Sequence, residues 1–140
     1  MASALIIDWP SQEVPRALLV AGFDVFSANL DAGTASRYGF GQGPAGDGVE
    51  VLPPQRDGDP ALTITRVAAL PERIEVVALH RPAAEHARIA QRAVELGART
   101  VWVQAGTLAD DARRIVAGAA IAVVEETPVH DAVRELARLA

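Results

Sequence analysis

Short apolar runs alternate with helical periodicity along most of the chain. Ala4-Leu5-Ile6-Ile7 is a continuous apolar run that stops at Asp8-Trp9-Pro10, and it predicts a first strand. Ser11 stands where it can cap a helix running to about Ala21, with Gln12 and Glu13 in the first turn, Pro15 still early enough to be tolerated and Gly22 closing the end. Phe23-Asp24-Val25-Phe26-Ser27-Ala28 then alternates as a strand does. In the second half, Glu75-Val76-Val77-Ala78-Leu79 reads as a buried strand, and Pro82 opens a helix whose apolar or small positions are Ala83, Ala87, Ala90, Val94 and Leu96, ended by Gly97. Thr100-Val101-Trp102-Val103 is a strand, Leu108 to Val116 a helix stopping near Gly118, Ala120 to Val124 the last strand, and Pro128 to Leu139 a terminal helix with Val133, Leu136 and Leu139 apolar. A strand–helix unit recurring every ~20–25 residues implies parallel strands joined by right-handed crossovers. The expected fold class is therefore α/β: one domain over 1–140, with a mostly parallel sheet of about five strands and helices on both faces.

Residues 31–61 break this rhythm. Gly33, Gly39, Gly41, Gly43, Gly46, Gly48 and Gly58 share the stretch with Pro44, Pro53, Pro54 and Pro60. The expectation is a long Gly/Pro-rich loop, far beyond the usual ~4–6 residues and so either functional or partly disordered. Val49-Glu50-Val51-Leu52 and Leu62-Thr63-Ile64-Thr65 are short enough and apolar enough to pair as strands on either side of its Pro-rich part.

Composition narrows the function classes. Of 140 residues, half are apolar and only six are aromatic, so the core is an aliphatic one, as buried parallel sheets have. No cysteine is present, which excludes disulfides, thiolate metal sites and cysteine nucleophiles and fits a reducing cytoplasm. A net charge of −5 argues against a nucleic-acid partner. No apolar run reaches the ~20 residues of a membrane span, and the amino terminus has no basic region of the signal-peptide kind. The expected location is cytoplasmic. Homodimerisation suits a small domain of this kind, but no residue specifies the surface.

Ligands of open parallel sheets sit beyond the carboxyl ends of the strands. The residues to inspect are therefore Ser11, Asn29, His80, Arg81, Pro82, Gln104 and Gly106, with Glu125, Glu126 and Thr127 after the last strand. Arg81 offers a guanidinium for a phosphate or an adenine, or simply an ion pair with Glu85. His80 is a possible proton carrier or ligand donor, and equally a residue that finishes a strand. Gln104 and Gly106 can present an amide and a bare backbone, or merely make a tight turn. His86 and His130 fall on helices and are expected at the surface, and Trp9 and Trp102 are expected to pack. Asp8, Glu125 and Glu126 would support acid–base or divalent-metal chemistry only by meeting in one cleft, and no metal-ligand spacing accompanies them. No Ser/His/Asp order, Walker motif or glycine-rich dinucleotide fingerprint is present.

The blocks Val77-Ala-Leu-His-Arg-Pro82 and Gly97-Ala-Arg-Thr-Val-Trp102-Val-Gln104-Ala-Gly106 resemble the second half of CoA-binding-domain proteins. These are small Rossmann-like domains, similar also to the CoA-binding part of succinyl-CoA synthetase alpha subunits. Ala17 to Val25, Asn29 and Arg66 to Pro71 resemble other parts of the family, so that about three-quarters of the chain is covered. The resemblance implies CoA or acyl-CoA as the ligand, held through Ser11, Asn29, His80, Arg81, Pro82, Gln104 and Gly106, with no catalytic residue. The departures are local: Asp8-Trp9-Pro10-Ser11 lacks the glycine of the family's phosphate-cradling first loop, Asn29 is followed by Leu30 rather than proline, and Thr127 stands where a cysteine is frequent. An alternative follows from the first departure, a ligand-free subunit that keeps the fold and serves as a protein-interaction surface.

Overall fold

The computed structural model of the chain describes residues 2–7, 12–29, 35–41, 49–54, 56–104 and 106–140. Eight strands and four helices follow one another: β1 (Ser3–Ile7), α1 (Glu13–Val20), β2 (Asp24–Ala28), β3 (Ala35–Phe40), β4 (Val49–Leu52), β5 (Leu62–Val67), β6 (Val76–Leu79), α2 (His86–Glu95), β7 (Thr100–Val103), α3 (Asp110–Gly118), β8 (Ala122–Val124) and α4 (Val129–Leu139). A 3₁₀ turn, Ala83–Glu85, leads into α2. All strands lie in one sheet of order β4-β5-β3-β2-β1-β6-β7-β8. The five from β2 to β8 in that order are mutually parallel, with Leu5 opposite both Phe26 and Val77, and Val77 opposite Val101. The other three, β3, β5 and β4, are antiparallel to their neighbours and extend the sheet as a ribbon beyond β2.

The parallel part is covered on both faces, which is why its strands are apolar throughout rather than alternating. Every residue of β1, β6 and β7 is buried. Strand alternation divides these side chains between two cores. Leu5, Ile7, Val77, Leu79, Val101 and Val103 pack beneath α2 and α3, while Ala4, Ile6, Val76, Ala78 and Trp102 pack beneath α1 and α4. Trp102, 0% exposed, is the largest fully buried side chain, as a packing role requires. None of the described helices is long and apolar enough to cross a membrane.

The sheet has eight strands where about five were expected. The extra strands lie in and just after the segment read as a loop: β3 and β4 interrupt 31–61, and β4 pairs with β5 as the two short apolar runs suggested. Strand β3 gives no clear apolar signal because it is half-exposed, and Gly39 sits mid-strand where a Cβ would come within 3.3 Å of the Thr63 hydroxyl. Other boundaries move by one to three residues. Helix α1 begins at Glu13 after Gln12, with Ser11 outside the described residues, and α3 begins at Asp110 rather than Leu108. The face of α2 also differs: His86, Ile89, Ala90 and Ala93 are buried, while Ala83 and Ala87 are not and Val94 is 39% exposed.

Helix ends account for one further difference. Helices α1 and α2 close with paired backbone bonds of the Schellman kind around Gly22 and Gly97. Helix α3 closes the same way, with Ile121 N–H donating to Val116 O and Ala120 N–H to Ala117 O, but the left-handed position is filled by Ala120 at φ 57°. Gly118 had pointed to an earlier stop. The chain consequently enters β8 at Ala122, two residues later than the apolar run suggests.

Candidate functional site

Strand β1 lies between β2 and β6, so the chain leaves it in one direction and resumes on its other side. That reversal of strand order places a crevice outside the carboxyl ends of β1 and β6. His80 N–H donates to Ile7 O at 3.4 Å and ties those two ends together. Beside it, at the ends of β6 and β7, a cavity of about 410 Å³ is lined by Leu79, His80, Arg81, Pro82 and Val103. Three of the sequence-derived candidates therefore form one wall. Gln104 adjoins them, since its backbone N–H donates to Leu79 O at 3.3 Å. Gly106 follows at φ +78° in open space, a conformation glycine adopts freely and side-chain-bearing residues seldom do.

The remaining candidates are placed differently. Asn29 is exposed just beyond β2 and shares the same edge of the sheet, but β1 intervenes, which puts it about 10 Å to the side of His80 at the usual strand spacing. Ser11 lies outside the described residues. So do Asp8 and Trp9. Strands β1 and β8 are separated by β6 and β7, about 14 Å at that spacing and wider than even an inverting carboxylate pair requires. Glu125 is occupied in any case: its Oε2 accepts the Leu108 N–H at 2.8 Å, and Arg113 Nη2 lies 2.8 Å from both carboxylate oxygens. Partial burial opposes ionisation of this carboxyl, but the Leu108 N–H and the Arg113 guanidinium outweigh it and hold it below the usual carboxylate range. Among the described residues no group of three acidic or imidazole side chains is arranged to hold a metal ion.

Arg81 makes the ion pair that was the simpler of its two readings. Its Nε and Nη2 reach Glu85 Oε2 at 3.0 and 2.6 Å across the 3₁₀ turn. The Arg81 side chain stays one-third exposed, and the residue lines the cavity. This ion pair orients the head group along the turn.

Sequence reasoning missed His86. It was expected at the surface, yet it is only 4% exposed. Its Nδ1 accepts the Ala109 N–H at 3.0 Å, so Nε2 carries the proton and donates to Arg81 O at 2.9 Å. One imidazole thus clasps the loop after β6 to the loop after β7, the two loops that form the rim. A signal did exist: His86 is three residues before Ile89 and seven before Ala93, on the stripe that α2 buries. A buried polar residue on an apolar stripe needs hydrogen-bond partners, and here both are backbone groups.

A second cavity, about 610 Å³, lies away from the rim between α1, α4 and the ribbon. Arg16, Arg134, Val20 and Phe40 contribute to it, and Arg16 is fixed there by its bonds to Gln12 Oε1 and Pro60 O. It contains none of the strand-end residues.

The mostly parallel sheet with helices on both faces is that of the Rossmann-like α/β class. Within it, a family described as a CoA binding domain matches residues 45–130, from just before β4 into the start of α4. The chain belongs to that family, as the blocks around His80 and Gln104 suggested. The matched span holds His80, Arg81, Pro82, Gln104 and Gly106 but not Ser11 or Asn29. Two solved structures share the fold. One is Prb, the PH1109 protein redesigned for binding, with a TM-score of 0.59 and 22% identity over 96% of this chain and 82% of that one. The other is a hypothetical protein from Pyrococcus horikoshii OT3, with a TM-score of 0.56 and the same identity and coverage. No curated protein matches.

Proposed function

We propose that this chain is a non-catalytic binding domain for CoA, acyl-CoA or a related adenine nucleotide, held at the rim formed by His80, Arg81, Pro82, Gln104 and Gly106. The observation that carries the reading is the cavity at the ends of β6 and β7, whose wall is supplied by residues inside the span matched to the CoA binding family. Arg81 is the residue assigned to a ligand phosphate, with Glu85 as the internal anion the phosphate displaces. Asn29 and Ser11 would add contacts from the β2 and β1 side.

The test is a thermal-shift screen across CoA, acyl-CoAs, NAD, ATP and AMP. CoA or an acyl-CoA raises the melting temperature of the wild type, and Arg81→Ala abolishes the rise. A flat screen overturns the proposal.

The second reading is a ligand-free interaction subunit. It is favoured by the glycine-free first loop, Asp8-Trp9-Pro10-Ser11, and by the Arg81–Glu85 pair already satisfying a cation within the chain. Native mass spectrometry of protein from its own host distinguishes the two: a retained small molecule supports the first, and a ligand-free complex with another protein supports the second.

A further inference from the structure

The cavity between α1, α4 and the ribbon has a volume of about 610 Å³, within the roughly 300–1,000 Å³ of small-molecule sites. Helix α1 brings Arg16, Ala17 and Val20 to it, and α4 brings His130, Val133, Arg134 and Ala137. Spacings of three and four residues place each set on one face of its helix. Three large apolar side chains are exposed among the described residues, and two of them line this cavity: Phe40, and Val20 at 79% exposed. An apolar body that displaces water from such surface gains free energy.

Arginines supply the polar part. Arg16 donates from Nε and Nη2 to Gln12 Oε1 at 3.0 and 2.8 Å, and from Nη1 to Pro60 O at 2.6 Å. These acceptors are neutral, so they fix the guanidinium without cancelling its charge. The same group lies 5.9 Å from the centre of the Phe40 ring, which joins the cation to the apolar wall. Arg134 is exposed, and among the described residues its guanidinium has no hydrogen bond or ion pair. Apart from His130, the charged lining is Arg16, Arg56 and Arg134 against Glu13 and Asp59. That leaves an excess of one positive charge, in a chain whose net charge is −5. The balance suits a singly charged anion. A nucleotide or CoA brings several negative charges and meets the two carboxylates as well.

We propose that this cavity is a second binding site, for a carboxylic acid with an apolar body. Arg134 takes the carboxylate, which matches a planar guanidinium in geometry, and the fixed charge of Arg16 adds to the attraction. Helices α1 and α4 both start from the carboxyl edge of the parallel strands. The residues that follow each arginine, Val20 and Ala21 on α1 and Ala137 on α4, therefore lie to the same side of the head group and wall the apolar body. This site shares no residue with the rim cavity and stands whether or not the rim binds CoA.

Isothermal titration with octanoate tests the assignment. Octanoate binds the wild type one to one, and Arg134→Gln weakens it about tenfold, the loss of one charge-assisted contact. Val20→Asp, on the other helix, weakens it at least as much by setting a like charge in the apolar wall. Both positions are exposed, so the melting temperatures without ligand match that of the wild type. Octanol, the same body without the charge, binds at least tenfold more weakly, and saturating CoA leaves octanoate binding unchanged. Octanol binding as tightly as octanoate shows a nonspecific apolar patch and overturns the proposal. So do displacement of octanoate by CoA, tighter binding of octyl phosphate than of octanoate, unchanged affinity in either variant, and absence of octanoate binding.

Discussion

The two parts of this sheet end in different ways. From β2 to β8 five strands run in one direction, and four of them deliver a described residue to the same edge: Asn29, His80, Gln104 and Glu125 stand there. In the ribbon, β3, β5 and β4 alternate in direction across the sheet, so their carboxyl ends are divided between its two edges. The burial patterns differ accordingly. Strands β1, β6 and β7 are buried along their whole length, while β3 and β5 are half-exposed. The parallel part therefore supplies most of the buried core and the candidate site, and the ribbon extends its edge.

Truncation in the two parts breaks this comparison most directly. Leu5→Ala, at a side chain 2% exposed in the central strand, costs about 3 kcal/mol, whereas Ile64→Ala in β5 costs about 1 kcal/mol or less, measured by denaturant unfolding. Equal losses would show that the ribbon is as integral to the core as the parallel strands. The clasp at the rim comes next. His86→Leu leaves the Ala109 N–H and the Arg81 carbonyl without their partner, and stability falls by about 2 kcal/mol with weaker CoA binding alongside. Full CoA affinity in that variant would show that the rim holds its shape without the clasp.

A smaller effect runs the other way. Ala120→Gly relieves a left-handed alanine at the end of α3 and raises stability by about 1 kcal/mol. The smallest is pH-dependent. The Glu125 carboxyl titrates lower in the folded chain than in the unfolded one, so its contribution is present above the ordinary carboxylate range and is lost as pH falls through the depressed value. The stability difference between wild type and Glu125→Gln, below about 1 kcal/mol for a partly exposed pair, is full above about pH 5 and fades on acidification. Parallel pH curves for the two proteins would contradict this.

The division between the two parts also explains what could be read from the residues alone. Continuous runs such as Glu75 to Leu79 and Thr100 to Val103 announce strands buried on both faces, and the glycines after α1 and α2 mark their ends. Ala35 to Phe40 does not announce itself, because a half-exposed strand with a mid-strand glycine lacks both alternation and an apolar run. At the candidate site, the strand-end placement of Arg81 and Gln104 was legible from the sequence. His86 was not, because its role depends on Ala109, which is distant in sequence and arrives only through the packing of α2 against α3. Glu125 was noted as a candidate acid, but its pairing with Leu108 and Arg113 is likewise a product of the tertiary fold.

The most direct test of the strand-end rim is an NMR titration of isotope-labelled protein with CoA. Amide shifts concentrated at His80, Arg81, Gln104 and Gly106, with Tyr38 and Ile64 in the ribbon unmoved, are the predicted result. Shifts gathered around Arg16, Phe40 and Arg134 at the second cavity, with the rim silent, would contradict it.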